Sequence, residues 1–166
     1  DEEWGVPVYD DAKLFEFLIL ETFQAGLSWI TILNKRENFR KAFDDFDYLK
    51  VSKYDESKIQ ELLLDAGIIR NKLKVYSAVS NAQAFIKVQE EFGSFSNYIW
   101  KFTDGKSIKN HPKTLKDVPA TTPLSDAISK DLKKRGFKFV GSTVVYAHMQ
   151  ATGMINDHIA DCWTSK

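Results

Sequence analysis

The chain has 166 residues, 43 % hydrophobic and 13 % aromatic, enough to bury one core over residues 1–166 and too apolar for a disordered chain. Its one cysteine, Cys162, excludes an internal disulfide framework. Apolar runs reach only four residues, as in Phe17 to Leu20, against roughly 20 for a membrane span, and the acidic start Asp1-Glu2-Glu3 does not read as a secretory signal. A soluble protein of a reducing compartment, with no membrane partner, is expected. The 23 basic and 23 acidic side chains cancel, so no chain-wide electrostatic grip on nucleic acid is indicated. The halves differ: residues 1–69 hold 8 basic and 15 acidic side chains, and residues 70–166 hold 15 and 8. A local basic face is therefore open to the second half.

Almost every periodic segment has the helical period. Leu14, Phe17, Leu18 and position 21 follow i, i+3, i+4, i+7. Gly26 reads as a stop and Ser28 as the next N-cap, after which Trp29, Ile32, Leu33, Phe39 and Phe43 carry a second apolar stripe. Ile59, Leu62, Leu63 and Ala66 carry a third, which Gly67 breaks. From Arg70 to about Val88 the pattern is apolar around most of the circumference, including Leu73, Val75, Tyr76, Val79, Ala82, Phe85 and Ile86, as in a helix with neighbours on several sides.

Thr103 to Thr122 is polar, carries Gly105, Pro112 and Pro119, and reads as a long connection. Thr122-Pro123 then sets an N-cap followed by proline at N1. Ile128 and Leu132 continue that helix, Lys133, Lys134 and Arg135 crowd its last turn, and Gly136 ends it. A last long helix is expected from about Phe139 to Gln150 with Gly153 as its stop, then a short turn around Asn156 to Cys162. No run alternates convincingly with period two. The expectation is one all-α domain.

Several residues stand out against that background. Glu21 shares a helix face with Leu14, Phe17 and Leu18, where a carboxylate must be hydrogen-bonded or neutralised. Alternatively the helix ends near Leu20 and Glu21 points into solvent. Leu27, in a connection beside Gly26 and Trp29, is either core or an exposed apolar wedge able to enter a stacked duplex. Leu64 to Lys72 reads as helix, glycine turn, helix, whose second N-terminus could hold phosphate on backbone amides or could be structural only. Lys130 to Lys138 is the densest basic stretch, either a phosphate-facing patch or a solvated helix end. His158 and Cys162, four apart, are half of a zinc site at most, since a structural site needs four ligands. The chain has no glycine-rich phosphate loop and no nucleophile elbow.

Together these segments resemble the DNA-3-methyladenine glycosylase I family. The matching words are Glu3-Trp4-Gly5-Val6-Pro7, Leu20-Glu21, Gln24-Ala25-Gly26-Leu27-Ser28-Trp29-Ile30-Thr31, Lys35-Arg36-Glu37-Asn38 and Asp65-Ala66-Gly67-Ile68-Ile69-Arg70. They continue through Leu132-Lys133-Lys134-Arg135-Gly136-Phe137-Lys138-Phe139-Val140-Gly141 to Asn156-Asp157-His158 and Cys162. The resemblance implies a helix-hairpin-helix glycosylase fold, with the hairpin at about 56–88. It implies a monofunctional bacterial base-excision-repair enzyme of the cytoplasm, expected as a monomer. Such an enzyme hydrolyses the N-glycosidic bond of 3-methyladenine in alkylated double-stranded DNA and releases the free base.

The resemblance also implies roles. Glu21 is the catalytic, base-holding carboxyl, and Trp29 and Trp4 are pocket aromatics on which a flipped base stacks. Gly26 and Leu27 form the inserted tip. Gly67, Ile68, Ile69, Arg70 and Lys72 hold backbone phosphates, and Lys133, Lys134, Arg135 and Lys138 a flank of the duplex. His158 and Cys162 match two ligands of a structural zinc. The family's further N-terminal cysteine, histidine and pocket tyrosine have no counterpart in these 166 residues, so four ligands are not expected from this stretch. The alternative is a noncatalytic helix-hairpin-helix module that binds damaged DNA.

Overall fold

The computed structural model describes residues 6–24, 29–109 and 121–156. Among them the chain forms α1 (Asp11–Gln24), α2 (Trp29–Ala42), α3 (Tyr48–Val51), α4 (Glu56–Leu63), α5 (Lys72–Phe92), α6 (Phe95–Trp100), α7 (Pro123–Lys134) and α8 (Ser142–Ala151). Short 3-10 turns lie at Asp44–Phe46 and Lys101–Thr103. The all-α expectation holds with one addition. Ile108–Lys109 (β1) pairs in parallel with Ile155–Asn156 (β2), which ties the polar connection to the chain beyond α8. No helix among the described residues is long and apolar enough to cross a membrane.

α1 is the centre of the fold. Every residue from Leu14 to Phe23 is buried, a wider contact than one amphipathic stripe gives. It packs on α2, α5, α6 and α8. Aromatic rings fill the space between these helices: Phe23, Phe39, Phe43 and Phe46 on one side, Phe15, Phe85 and Phe95 on the other, with centroid separations of 4.4–6.1 Å.

Side chains set the helix starts. Asp10 accepts the amide of Lys13 at 3.2 Å. Asp11 reaches across to the start of α6, accepting the amides of Phe95 (2.9 Å) and Ser96 (2.8 Å). Thr122 and Ser125 form the reciprocal capping box that opens α7, with Pro123 at N1 as expected. Gly136 takes φ +98 just after α7.

Some boundaries differ from expectation. α4 ends at Leu63, four residues before Gly67, which is not in a left-handed conformation. Gly67 instead gives room to α2: a Cβ there would meet Asn38 Cβ and Cγ at 3.1 Å. Ala66 and Leu73, read as apolar-face residues, are exposed. α8 begins at Ser142 rather than near Phe139, because Phe139 sits at φ +58 and Gly141 is the extended N-cap. Gly153, at φ +77, does stop that region, and it also admits the N-terminal strap: a Cβ would lie 2.4 Å from Pro7 N and 2.5 Å from Val6 C.

Candidate active site

α1 carries two buried carboxyls, and their environments differ. Glu16 is met by two arginines of α2: Arg36 Nε donates to Oε2 at 2.6 Å, and Arg40 donates through Nη2 at 3.0 Å. Arg36 also lies over the Phe17 ring, 5.2 Å from its centroid. These contacts lock α2 against α1.

Glu21, just over one turn later, is 1 % exposed, and among the described residues neither of its oxygens has a hydrogen-bond partner. Arg36 and Arg40 bind Glu16 instead. Burial pushes its pKa from 4.5 up to about 8. The reading in which Glu21 hangs from a frayed helix end is corrected: α1 continues to Gln24 and encloses the side chain. A buried carboxyl without a partner is costly, which is why such groups concentrate at functional sites. Phe17, one turn before Glu21 on the same face, lines a cavity of about 330 Å³ with Val6, Pro7, Tyr9, Asp10 and Lys13. The strap that walls this cavity is held by Trp100 Nε1 donating to Val8 O at 2.7 Å and by Val8 N donating to Thr152 O at 2.9 Å.

Trp29 opens α2, five residues after Gln24, the last residue of α1. Its side chain lies outside the described residues, as do Trp4, Gly26, Leu27, His158 and Cys162. Among the described residues no group of three or more His, Cys, Asp or Glu is placed to hold a metal. The buried His148 is committed elsewhere, its Nε2–H donating to Leu14 O at 3.2 Å. The described residues thus supply no ligand set for zinc.

The turn between α4 and α5 is built by Asp65, whose Oδ1 accepts the Gly67 amide at 2.7 Å. That amide is therefore occupied. Ile68 is buried, Ile69 partly so, and Arg70 and Lys72 are exposed. Asn71 caps α5, accepting the amide of Lys74 at 3.2 Å. In the second basic segment, Lys133, Lys134 and Lys138 are exposed. Arg135, grouped with them from sequence, is engaged within the protein: Nε donates to Asp131 at 2.8 Å, Nη1 to Glu91 at 3.1 Å, and the guanidinium stacks on Phe92 and Tyr98. A last-turn arginine cannot be told from its lysine neighbours without knowing that α5 and α6 pack there.

An all-helical scaffold with a buried, unpaired carboxyl and exposed cations along α5 and α7 has the build of the helical DNA glycosylases. A solved 3-methyladenine DNA glycosylase I superposes with a TM-score of 0.95 at 47 % identity, covering 98 % of this chain and 90 % of that one. A second, from Staphylococcus aureus and described as showing the structural basis of 3-methyladenine recognition, gives 0.96 at 36 % identity over 100 % and 88 %. The chain belongs to the methyladenine glycosylase family, whose model matches residues 1–165. Among curated relatives, DNA-3-methyladenine glycosylase 1 of Escherichia coli K12 is 47 % identical over 98 % of this chain and 87 % of its own. The Haemophilus influenzae DNA-3-methyladenine glycosylase is 46 % identical over 98 % and 88 %.

Proposed function

We infer that the protein is a DNA-3-methyladenine glycosylase of base excision repair, and that Glu21 is the carboxyl that holds the damaged base. The observation that carries the assignment of Glu21 is its complete burial without a partner on the central helix. A damaged base with an N–H edge supplies the partner that the fold withholds.

The chemistry asks little acid catalysis of the protein. Methylation at N3 makes the adenine cationic, so the base is already a good leaving group. The C1′–N9 bond breaks, its electron pair neutralises the departing ring, and water adds to C1′ with loss of a proton. An abasic site is left in the DNA strand, and free 3-methyladenine is the group released. Glu21 accepts a hydrogen bond from the base, and a cationic base beside it favours the ionised form that burial alone disfavours. In the same reading Trp29 and Trp4 stack on the flipped base. Gly26 and Leu27 fill the gap that it leaves.

The grip on the duplex is assigned to the α4–α5 pair acting as a helix-hairpin-helix. Gly67 and Ile68 shape the turn there, and Ile69, Arg70 and Lys72 face phosphate. Lys133, Lys134 and Lys138 extend the grip. His158 and Cys162, outside the described residues, would be two of the four ligands of a structural zinc that needs two more than these 166 residues supply; it enters no step. The enzyme works as a single-domain monomer, and DNA as substrate puts its work in the cytoplasm of a bacterial host.

The test is release of free 3-methyladenine from methylated duplex DNA by the 166-residue chain. Release well above the spontaneous rate, leaving an alkali-sensitive abasic site, is expected. Tight binding to methylated duplex without any base release would instead make it a damage-binding module.

A further inference from the structure

We propose that Lys74, covered by the ring of Phe139, is a DNA-phosphate site beside the start of α5. This inference rests on the DNA-binding reading above and adds two residues to it.

Lys74 lies in the first turn of α5 and is 8 % exposed. A buried lysine in a folded protein is ordinarily paired. Among the described residues no carboxylate reaches this one, and its side chain makes no hydrogen bond. Burial alone lowers its pKa. An aromatic face lies beside its charge: Nζ is 5.8 Å from the Phe139 ring centroid, within cation–π range.

Phe139 is itself unusual. It is a bulky residue at φ +58, a conformation that costs free energy unless its surroundings impose it, and its ring is 41 % exposed. The surroundings do impose it. Asn81, fully buried in the middle of α5, accepts the Lys138 amide at 2.7 Å and donates to the Lys138 carbonyl at 3.1 Å. Lys74 and Asn81 are seven residues apart and share one face of α5. The clamp therefore lays the chain at Lys138–Phe139 along α5 toward its N-terminus. Lys74 and Phe139, 65 residues apart in sequence, thus join two basic segments, one carrying the exposed Arg70 and Lys72 and the other the exposed Lys138.

A fixed anion with no cation of its own completes such a seam. The DNA backbone presents one, and lysine binds phosphate as a point charge. With its stem packed in the fold and its amine without a partner among the described residues, Lys74 holds its charge at a fixed place on the surface.

The experiment measures affinity for undamaged duplex at several salt concentrations for the wild type, K74M and F139L. K74M is expected to weaken binding equally to undamaged and methylated duplex. It should also lower the slope of log affinity against log salt by about 0.9, one phosphate's worth. F139L should weaken binding with the slope kept. An unchanged slope in K74M overturns the proposal. Should K74M not fold, the Lys74 side-chain amine signal of the wild-type chain is followed by NMR: movement on adding undamaged duplex supports the site, and none overturns it. These readouts need no base release, so the site can fail while the enzyme stands, and the reverse.

Discussion

Glu21 and His148 are both buried, and they pull stability in opposite directions with pH. Glu21 has its folded pKa raised from 4.5 to about 8. Between those values the unfolded chain is ionised there while the folded one stays protonated, so stability falls as pH rises across the window, by about 1.4 kcal/mol per unit. His148 has its folded pKa lowered from 6.5 to about 4, chiefly by burial. The unfolded chain takes up that proton first as pH falls, so stability is lost on going from about 6.5 down to about 4. Glu21→Gln removes the first effect. The variant is expected to be more stable than wild type by about 4 kcal/mol near pH 8 and little different near pH 4.5, as read by urea unfolding at the two pH values.

The helices were legible wherever caps and periodicity agree. Thr122-Pro123 and Gly136 mark both ends of α7, and the break between α1 and α2 falls where Gly26 and Ser28 put it. What the sequence hid was contact between elements. Nothing in the sequence singles out Glu16, and only the packing of α2 shows that Arg36 and Arg40 neutralise it. The turn Asp44–Asp45–Phe46 is left-handed throughout without a glycine, and the β1–β2 pair is too short for any alternation to register. Glu21 was legible because a carboxylate on an apolar stripe conflicts with its pattern, whereas Lys74 was not, because nothing local says that Phe139 will lie over it.

Two element-scale variants test the packing. Glu16→Gln leaves the two guanidiniums without their carboxylate and is expected to cost about 2–3 kcal/mol by denaturant unfolding; a neutral result would mean that the pair does not fasten α2. Gly153→Ala puts a Cβ 2.4 Å from Pro7 N at φ +77 and is expected to cost about 2 kcal/mol or more. The same variant should loosen the Val6–Tyr9 strap, so proteolysis near that strap should quicken ahead of global unfolding.

On the scale of the whole molecule, the acidic first half supplies α1 and its buried carboxyl Glu21, and the basic second half supplies α5, α7 and the exposed lysines. In the proposed reading the charge asymmetry separates the group that would hold the base from the groups that would hold the backbone. The opposed titrations of Glu21 and His148 also combine here: their slopes cancel from about pH 4.5 to 6.5, and the Glu21 slope stands alone from about 6.5 to 8. The central claim is that Glu21 is kept buried and unpaired for the base rather than for the fold. One preparation of Glu21→Gln beside wild type tests it, with base release from methylated duplex and urea unfolding both measured at pH 8. The account predicts excision slower by at least about 100-fold, the scale of losing a positioned polar group at a reacting site, together with a gain in stability. Excision at the wild-type rate, or excision and stability falling together, would contradict it.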